Sequence, residues 1–109
     1  LPLRYINERR GGHMTFDGFE AEVEEIYRTL IANGCGIEVN TNRGKDPLPD
    51  EKWLRLYREC GGEIITLGSD AHRAEHVGCC IWERQELLRE CGFRAFCTFR
   101  EMKPVFHDL

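Results

Sequence analysis

The chain has 109 residues, 41% of them apolar and 31% charged, and a formal net charge of −4. That length suits one domain with a modest core, and the acidic balance argues against a nucleic-acid-binding surface. With no signal peptide, no low-complexity tail and no apolar run of roughly 18 residues, a soluble, cytoplasmic protein carrying no address of its own is expected.

In chain order, the first element spans residues 15–33. There Phe19, Val23, Ile26, Tyr27, Leu30 and Ile31 recur at steps of three and four, predicting a helix that Gly34 ends. Gly36-Ile37-Glu38-Val39-Asn40 then reads as a short strand. A second helix opens at Pro47-Leu48-Pro49-Asp50, with Trp53, Leu54, Leu56, Tyr57 and Cys60 on its buried face, and stops at Gly61-Gly62. Ile64, Ile65 and Leu67 follow as a buried strand that Gly68 closes. The third helix runs from about Ile81 through Leu87 and Leu88 to Cys91, and Gly92 leads into a strand at Ala95-Phe96-Cys97-Thr98-Phe99.

Helix, glycine, strand, three times over, is the pattern of parallel α/β architecture. Gly34, Gly61 and Gly92 are 27 and 31 residues apart, about one strand-helix unit. Three parallel strands leave two raw sheet edges, a poor stopping point for a domain. Right-handed crossovers would make these units an arc of a larger α/β barrel whose earlier strands are missing.

Six cysteines raise the question of disulfides. Cys35, Cys60 and Cys91 each sit beside a glycine at a helix-to-strand junction, Cys97 lies in an apolar run, and Cys79 and Cys80 are neighbours. With no C-x-x-C pair, a zinc knuckle is not indicated, and reduced, mostly buried thiols are expected.

Chemistry gathers where the second strand ends. Asp70 and His72 are two positions apart, so in extended backbone they point the same way, roughly 6.5 Å apart at Cα. Carboxylate and imidazole together suit zinc, manganese or iron. An Asp that opens a helix, beside an exposed His, is the plainer alternative. The first strand leaves through Asn40-Thr41-Asn42-Arg43-Gly44-Lys45, where a forked guanidinium could hold an anion or merely decorate a polar loop. Glu38 and Asn40 share one face of that strand. His13 reads as a solvent-loop residue, His76 as a surface histidine four positions after His72, and His107 carries no signal. There is no glycine-rich phosphate loop and no Gly-x-Ser-x-Gly elbow.

Ile37-Glu38-Val39-Asn40-Thr41, the proline-bearing helix start and Gly62-Glu63-Ile64-Ile65-Thr66-Leu67-Gly68-Ser69-Asp70-Ala71-His72 together resemble histidinol phosphatases of the polymerase and histidinol phosphatase (PHP) superfamily. Gly92-Phe93, the strand after it and Lys103-Pro104-Val105 are similar to that family's ending. The likeness covers nearly all 109 residues, and Gly68-Ser69-Asp70-Ala71-His72 is its most specific part.

The resemblance implies a distorted seven-stranded β/α barrel with two or three divalent metal ions (zinc, manganese or iron) at the carboxyl ends of its strands. Residues 1–109 would be its carboxyl-terminal arc of about three strand-helix units, without the amino-terminal metal motifs. The family's last metal motif falls on Asp70 and His72, and Asp70 would also serve catalysis by passing a proton to or from the departing alcohol. The family's phosphate-binding arginine falls near Arg43, with Lys45 as rival because the family reads Asn-Thr-Ser-Gly there. Arg4 resembles a second phosphate-binding position, just after a family metal-binding His that this chain lacks.

The activity implied for the complete chain is metal-dependent hydrolysis of a small phosphomonoester, histidinol phosphate, in histidine biosynthesis, and the fragment alone is expected to be inactive. Its partner would be the remainder of the PHP barrel, with no nucleic acid and no membrane. The alternatives are a PHP-type phosphoesterase acting on nucleic acid or nucleotides, and a non-catalytic metal-binding remnant.

Overall fold

Alternating side chains on two short strands set the layering. The computed structural model describes residues 15–109 together with Arg9, Gly11 and Gly12; Arg4 and His13 lie outside the described residues. Its elements are α1 (Glu20–Ala32), β1 (Ile37–Asn40), α2 (Glu51–Glu59), β2 (Ile65–Gly68), α3 (Ile81–Glu90), β3 (Ala95–Arg100) and β4 (Lys103–Asp108). β1 and β2 pair in parallel, with Ile37 opposite Ile65 and Asn40 opposite Gly68. Val39 and Ile65 are fully buried on one face of this pair. They meet Tyr27 of α1, Leu54 and Tyr57 of α2 and Leu88 of α3 in a single core. Each such side chain contributes about 1.5–3 kcal/mol when withdrawn from water. By strand alternation Glu38, Asn40, Thr66 and Gly68 belong to the opposite face, where Glu38 is exposed.

α2 holds the core together. Trp53, Leu54 and Tyr57 are its buried residues. The Tyr57 ring meets Tyr27 edge-on at 5.1 Å and stacks on Phe93 at 6.3 Å. Its hydroxyl donates to the Ile64 carbonyl at 3.0 Å, which ties α2 to the start of β2. Gly61, at φ +91°, turns the chain out of the helix. At Gly62 the backbone lies so close to Tyr57 that a Cβ would sit 2.3 Å from the ring.

The architecture is mixed α/β, with helix before strand three times as the punctuation predicts. Three details differ from expectation. α1 begins at Glu20 rather than near Thr15, because Thr15 and Asp17 bond to each other in a turn. It packs through Val23, Tyr27, Leu30 and Ile31, leaving Phe19 and Ile26 at 55% and 57% exposed. At about 100° per residue those two share the sector beside the packed one.

The third strand is not the third member of a parallel ladder. β3 runs alongside β2, but its hydrogen-bonded partner is β4, antiparallel from Ala95 opposite Asp108 to Arg100 opposite Lys103. Glu101 and Met102, at φ 50° and 63°, form the tight turn between them. The expected burial of the thiols also holds only in part. All six cysteines are free, but Cys91 and Cys97 alone are buried, and Cys35 is exposed. Among the described residues no helix is long and apolar enough to cross a membrane.

The fit of Gly62 against Tyr57 is open to test. Gly62→Ala should lower unfolding free energy by ~1–3 kcal/mol, since neither ring nor backbone can yield freely. In urea the midpoint should fall with an unchanged slope. A midpoint equal to that of the unsubstituted protein would contradict the close contact.

Candidate functional site

Because β1 and β2 are parallel and end in register, the loops leaving their carboxyl ends emerge side by side. The loop after β1 is closely tied. The Asn40 side-chain oxygen accepts the Asn42 backbone N–H at 2.8 Å, an Asx-turn, and Thr41 N–H continues the ladder to Gly68 O at 2.8 Å. Asn42 Nδ2 donates to Asp46 O at 2.8 Å. Asn40 and Leu48 exchange backbone hydrogen bonds of 2.9 and 3.1 Å, closing the base of the loop. From α3, the Arg84 guanidinium donates to the Lys45 carbonyl.

These ties hold Asn42, Arg43 and Gly44 at φ 50°, 55° and 83°. Asparagine and glycine tolerate that region well, whereas an arginine there is uncommon. Thr41 Oγ1 and Asn42 Oδ1 are buried without a hydrogen-bond partner. Strain and unmet polarity of this kind collect at functional loops.

The loop after β2 brings Ser69, Asp70 and His72 to the same place. Ser69 Oγ accepts the Gly78 N–H at 3.3 Å. Asp70 is not extended but left-handed, at φ 49°, so simple strand alternation does not explain its direction. Its carboxylate still meets His72: Oδ1 and Nε2 are 3.4 Å apart, with the side chains 53% and 77% exposed. Asp70 does not open a helix. The next helical turn, Ala74–His76, is preceded by Arg73.

Asn40, Asn42, Arg43, Ser69, Asp70 and His72 line one cleft of ≈ 300 Å³. Three of the residues singled out from the sequence, Arg43, Asp70 and His72, thus come together. Lys45 is not among the lining residues, and Arg4 lies outside the described residues. His76 faces Glu75 at 3.8 Å, and His107 bonds to Thr98 Oγ1 at 2.8 Å on the hairpin. Ser69 and Asn42 were not singled out. The Asn-x-Asn spacing is the signal that could have found Asn42, since it lets the first side chain turn the backbone back on itself.

The donor set fits a divalent metal in part. Two donors each about 2.0–2.1 Å from a tetrahedral ion lie roughly 3.4 Å apart, the separation that Asp70 and His72 already have. A carboxylate oxygen and an imidazole nitrogen also suit zinc chemically. Among the described residues, however, no group of three or more His, Cys, Asp or Glu side chains gathers at one point. A catalytic zinc takes about three protein ligands plus water, so Asp70 and His72 by themselves would fill only part of such a ligand set.

No family model matches the chain. A probable histidinol-phosphatase of Thermotoga maritima is 36% identical over 75 residues, 65% of this chain and 32% of that protein. The histidinol-phosphatase of Lactococcus lactis subsp. lactis is 33% identical over 82 residues, 72% of this chain and 30% of that protein. This chain is homologous to the histidinol phosphatases. A crystal structure of histidinol phosphate phosphatase from Lactococcus lactis, complexed with zinc, L-histidinol and phosphate, matches with a TM-score of 0.67 at 27% identity. That match covers 84% of this chain and 36% of the solved one. The chain therefore spans about a third of the length of the histidinol phosphatases it matches.

Proposed function

We propose that residues 1–109 are a single carboxyl-terminal piece of a PHP-type domain, and that the complete chain is a metal-dependent phosphomonoesterase acting on histidinol phosphate in histidine biosynthesis, in the cytoplasm. One observation carries the reading: a carboxylate and an imidazole 3.4 Å apart share a cleft with an arginine, at the carboxyl ends of two parallel strands, in a chain homologous to histidinol phosphatases. Zinc, histidinol and phosphate bound to the Lactococcus enzyme support the choice of metal and substrate class.

The layering supports an arc of a distorted (β/α)7 barrel. α1, α2 and α3 contribute to the core on one face of the β1–β2 pair. The opposite face carries Glu38, Asn40 and Thr66. In a barrel that face would meet the remaining strands, which would also bring the missing ligands.

In the complete site, Asp70 and His72 bind a divalent metal ion, His72 through one ring nitrogen. Two or three such ions, when bound, supply Lewis-acid polarisation of the phosphoryl group and a water acidic enough to attack it at neutral pH. Arg43 donates from its forked guanidinium to phosphate oxygens, and among the described residues it has no ion-pair partner to compete. Arg4 would add a second donor to the phosphate. Asp70 would also pass a proton to or from the departing alcohol. A nucleic-acid substrate fits less well, because the cleft lining has a single Arg and no Phe, Tyr or Trp on which a base could stack.

Replacing single residues in the complete enzyme separates these roles. Asp70→Ala or His72→Ala should lower both metal content and turnover, since each removes a ligand from a small cluster. Arg43→Ala should leave metal content unchanged and raise KM by roughly tenfold or more, the loss of a charge-assisted hydrogen bond. Metal loss on replacing Arg43, or full metal content without Asp70 and His72, would overturn the assignments.

The chain of 109 residues by itself should not hydrolyse histidinol phosphate with zinc, manganese or iron added, because among the described residues no third ligand joins Asp70 and His72. An assay beside the complete chain measures this directly. Comparable turnover by the piece alone would place the active site elsewhere.

A further inference from the structure

Cys79 and Cys80 have a geometry that the proposed phosphatase chemistry does not use. Adjacent residues in extended chain project to opposite sides, so neighbouring cysteines ordinarily keep their sulfurs apart. Here Gly78 O accepts the Ile81 N–H at 3.4 Å, making Cys79 and Cys80 the central residues of a turn. Cys80 stands at φ 59°, a position usually given to glycine or asparagine, and this brings its sulfur to 3.5 Å from that of Cys79.

The pair is fastened on both sides. Cys79 N–H donates to His76 O at 3.1 Å, and Cys80 O accepts the Arg84 N–H of α3 at 3.2 Å. Both side chains are half-buried. Cys80 Sγ also lies against the loop that carries Arg43: a Cβ on Gly44 would stand 3.1 Å from it. The segment between Ser69 and Gly78 connects the pair to the cleft's other loop. A left-handed, non-glycine residue that aligns two thiols is a strained feature calling for a function.

We propose that Cys79 and Cys80 form a reversible redox dithiol, which a low-molecular-weight disulfide closes into a vicinal disulfide and a free thiol reopens. The Cys79 thiolate attacks one sulfur of the small disulfide RSSR, forming a mixed disulfide and releasing RS⁻, which takes up the proton that Cys79 lost. Cys80 then gives up its proton and attacks the Cys79 sulfur, expelling the second RSH. Two protein thiols are oxidised by two electrons, and RSSR is reduced to two RSH.

The two sulfurs share a hydrogen bond, and this contact, with burial second, pushes the Cys80 thiol up. Adjacent Cα atoms are about 3.8 Å apart across a trans peptide, below the usual disulfide span of about 4.4–6.8 Å. Strain of that kind makes the product easy to reduce, which suits reversible control and not permanent stapling. Cys91 and Cys97 are internal controls, because both are buried and burial pushes both thiols up.

The test uses the complete chain, reduced and then exposed to oxidised glutathione at neutral pH. Free thiols are alkylated and the peptides weighed. The peptide holding Cys79 and Cys80 should escape alkylation, weigh two hydrogens less than its reduced form, and recover both thiols on adding dithiothreitol. In Cys80→Ser the resolving sulfur is gone, so a glutathione adduct should persist on Cys79. An adduct that accumulates equally in unsubstituted protein and in Cys80→Ser would overturn the proposal. So would full alkylation of both residues after oxidation, or a disulfide from either one to Cys35 or Cys60.

Discussion

The parallel pairing of β1 with β2 is the constraint on which the remaining structure depends. Its register sets Val39 and Ile65 on the helix side, where both are fully buried, and sends Glu38, Asn40 and Thr66 to the other. Slipping either strand by one residue would turn that strand's apolar set away from the helices. The register also fixes the chemistry, because Asn40 and Gly68 end the two strands level with each other. Gly68 suits this place: a Cβ there would stand 2.6 Å from the Glu38 carboxyl carbon.

From that base, cleft geometry becomes a matter of how two loops are restrained. Arg43 and Asp70 both occupy left-handed backbone, a conformation that costs about 1–3 kcal/mol for an ordinary residue. Neighbouring hydrogen bonds hold it in place on the Arg43 side: the Asn40–Asn42 turn, the Asn40–Leu48 bridge and the reach of Arg84 to Lys45. On the Asp70 side, Ser69 is bound to Gly78. Side chains that must meet a ligand in one geometry benefit from being held there before it arrives.

Much of this was legible from residues alone. Glycines at 34, 61 and 92 marked the helix ends, and Ile65 with Val39 marked the strands, because punctuation and periodicity are local signals. The pairing of Asp70 with His72 was legible from their spacing, although the backbone between them is not the extended chain on which that spacing argument relied. The β3–β4 hairpin was not legible. Glu101-Met102 lacks the Asn or Gly that signals a tight turn, and Pro104 speaks against a central strand, yet an edge strand accommodates it opposite Phe99. Nor could sequence show that Ile26 lies outside the packed sector of α1, since that depends on which flank tertiary contacts select. Left-handed Cys80 was equally hidden, because nothing in the residue type asks for it.

Beside relatives more than twice its length, this chain shows a layer of helices over one face of a parallel strand pair. Asp70 and His72, 3.4 Å apart, stand at the separation that two donors to one tetrahedral ion would have. The most direct test is diffraction from crystals of the complete protein grown with zinc, using anomalous scattering at the zinc edge to locate each ion. The account predicts an ion within about 2.0–2.2 Å of an Asp70 oxygen and an ion within about 2.0–2.1 Å of a His72 nitrogen, with the other ligands supplied by residues outside these 109. Zinc held by residues elsewhere, with Asp70 and His72 left facing solvent, would contradict it.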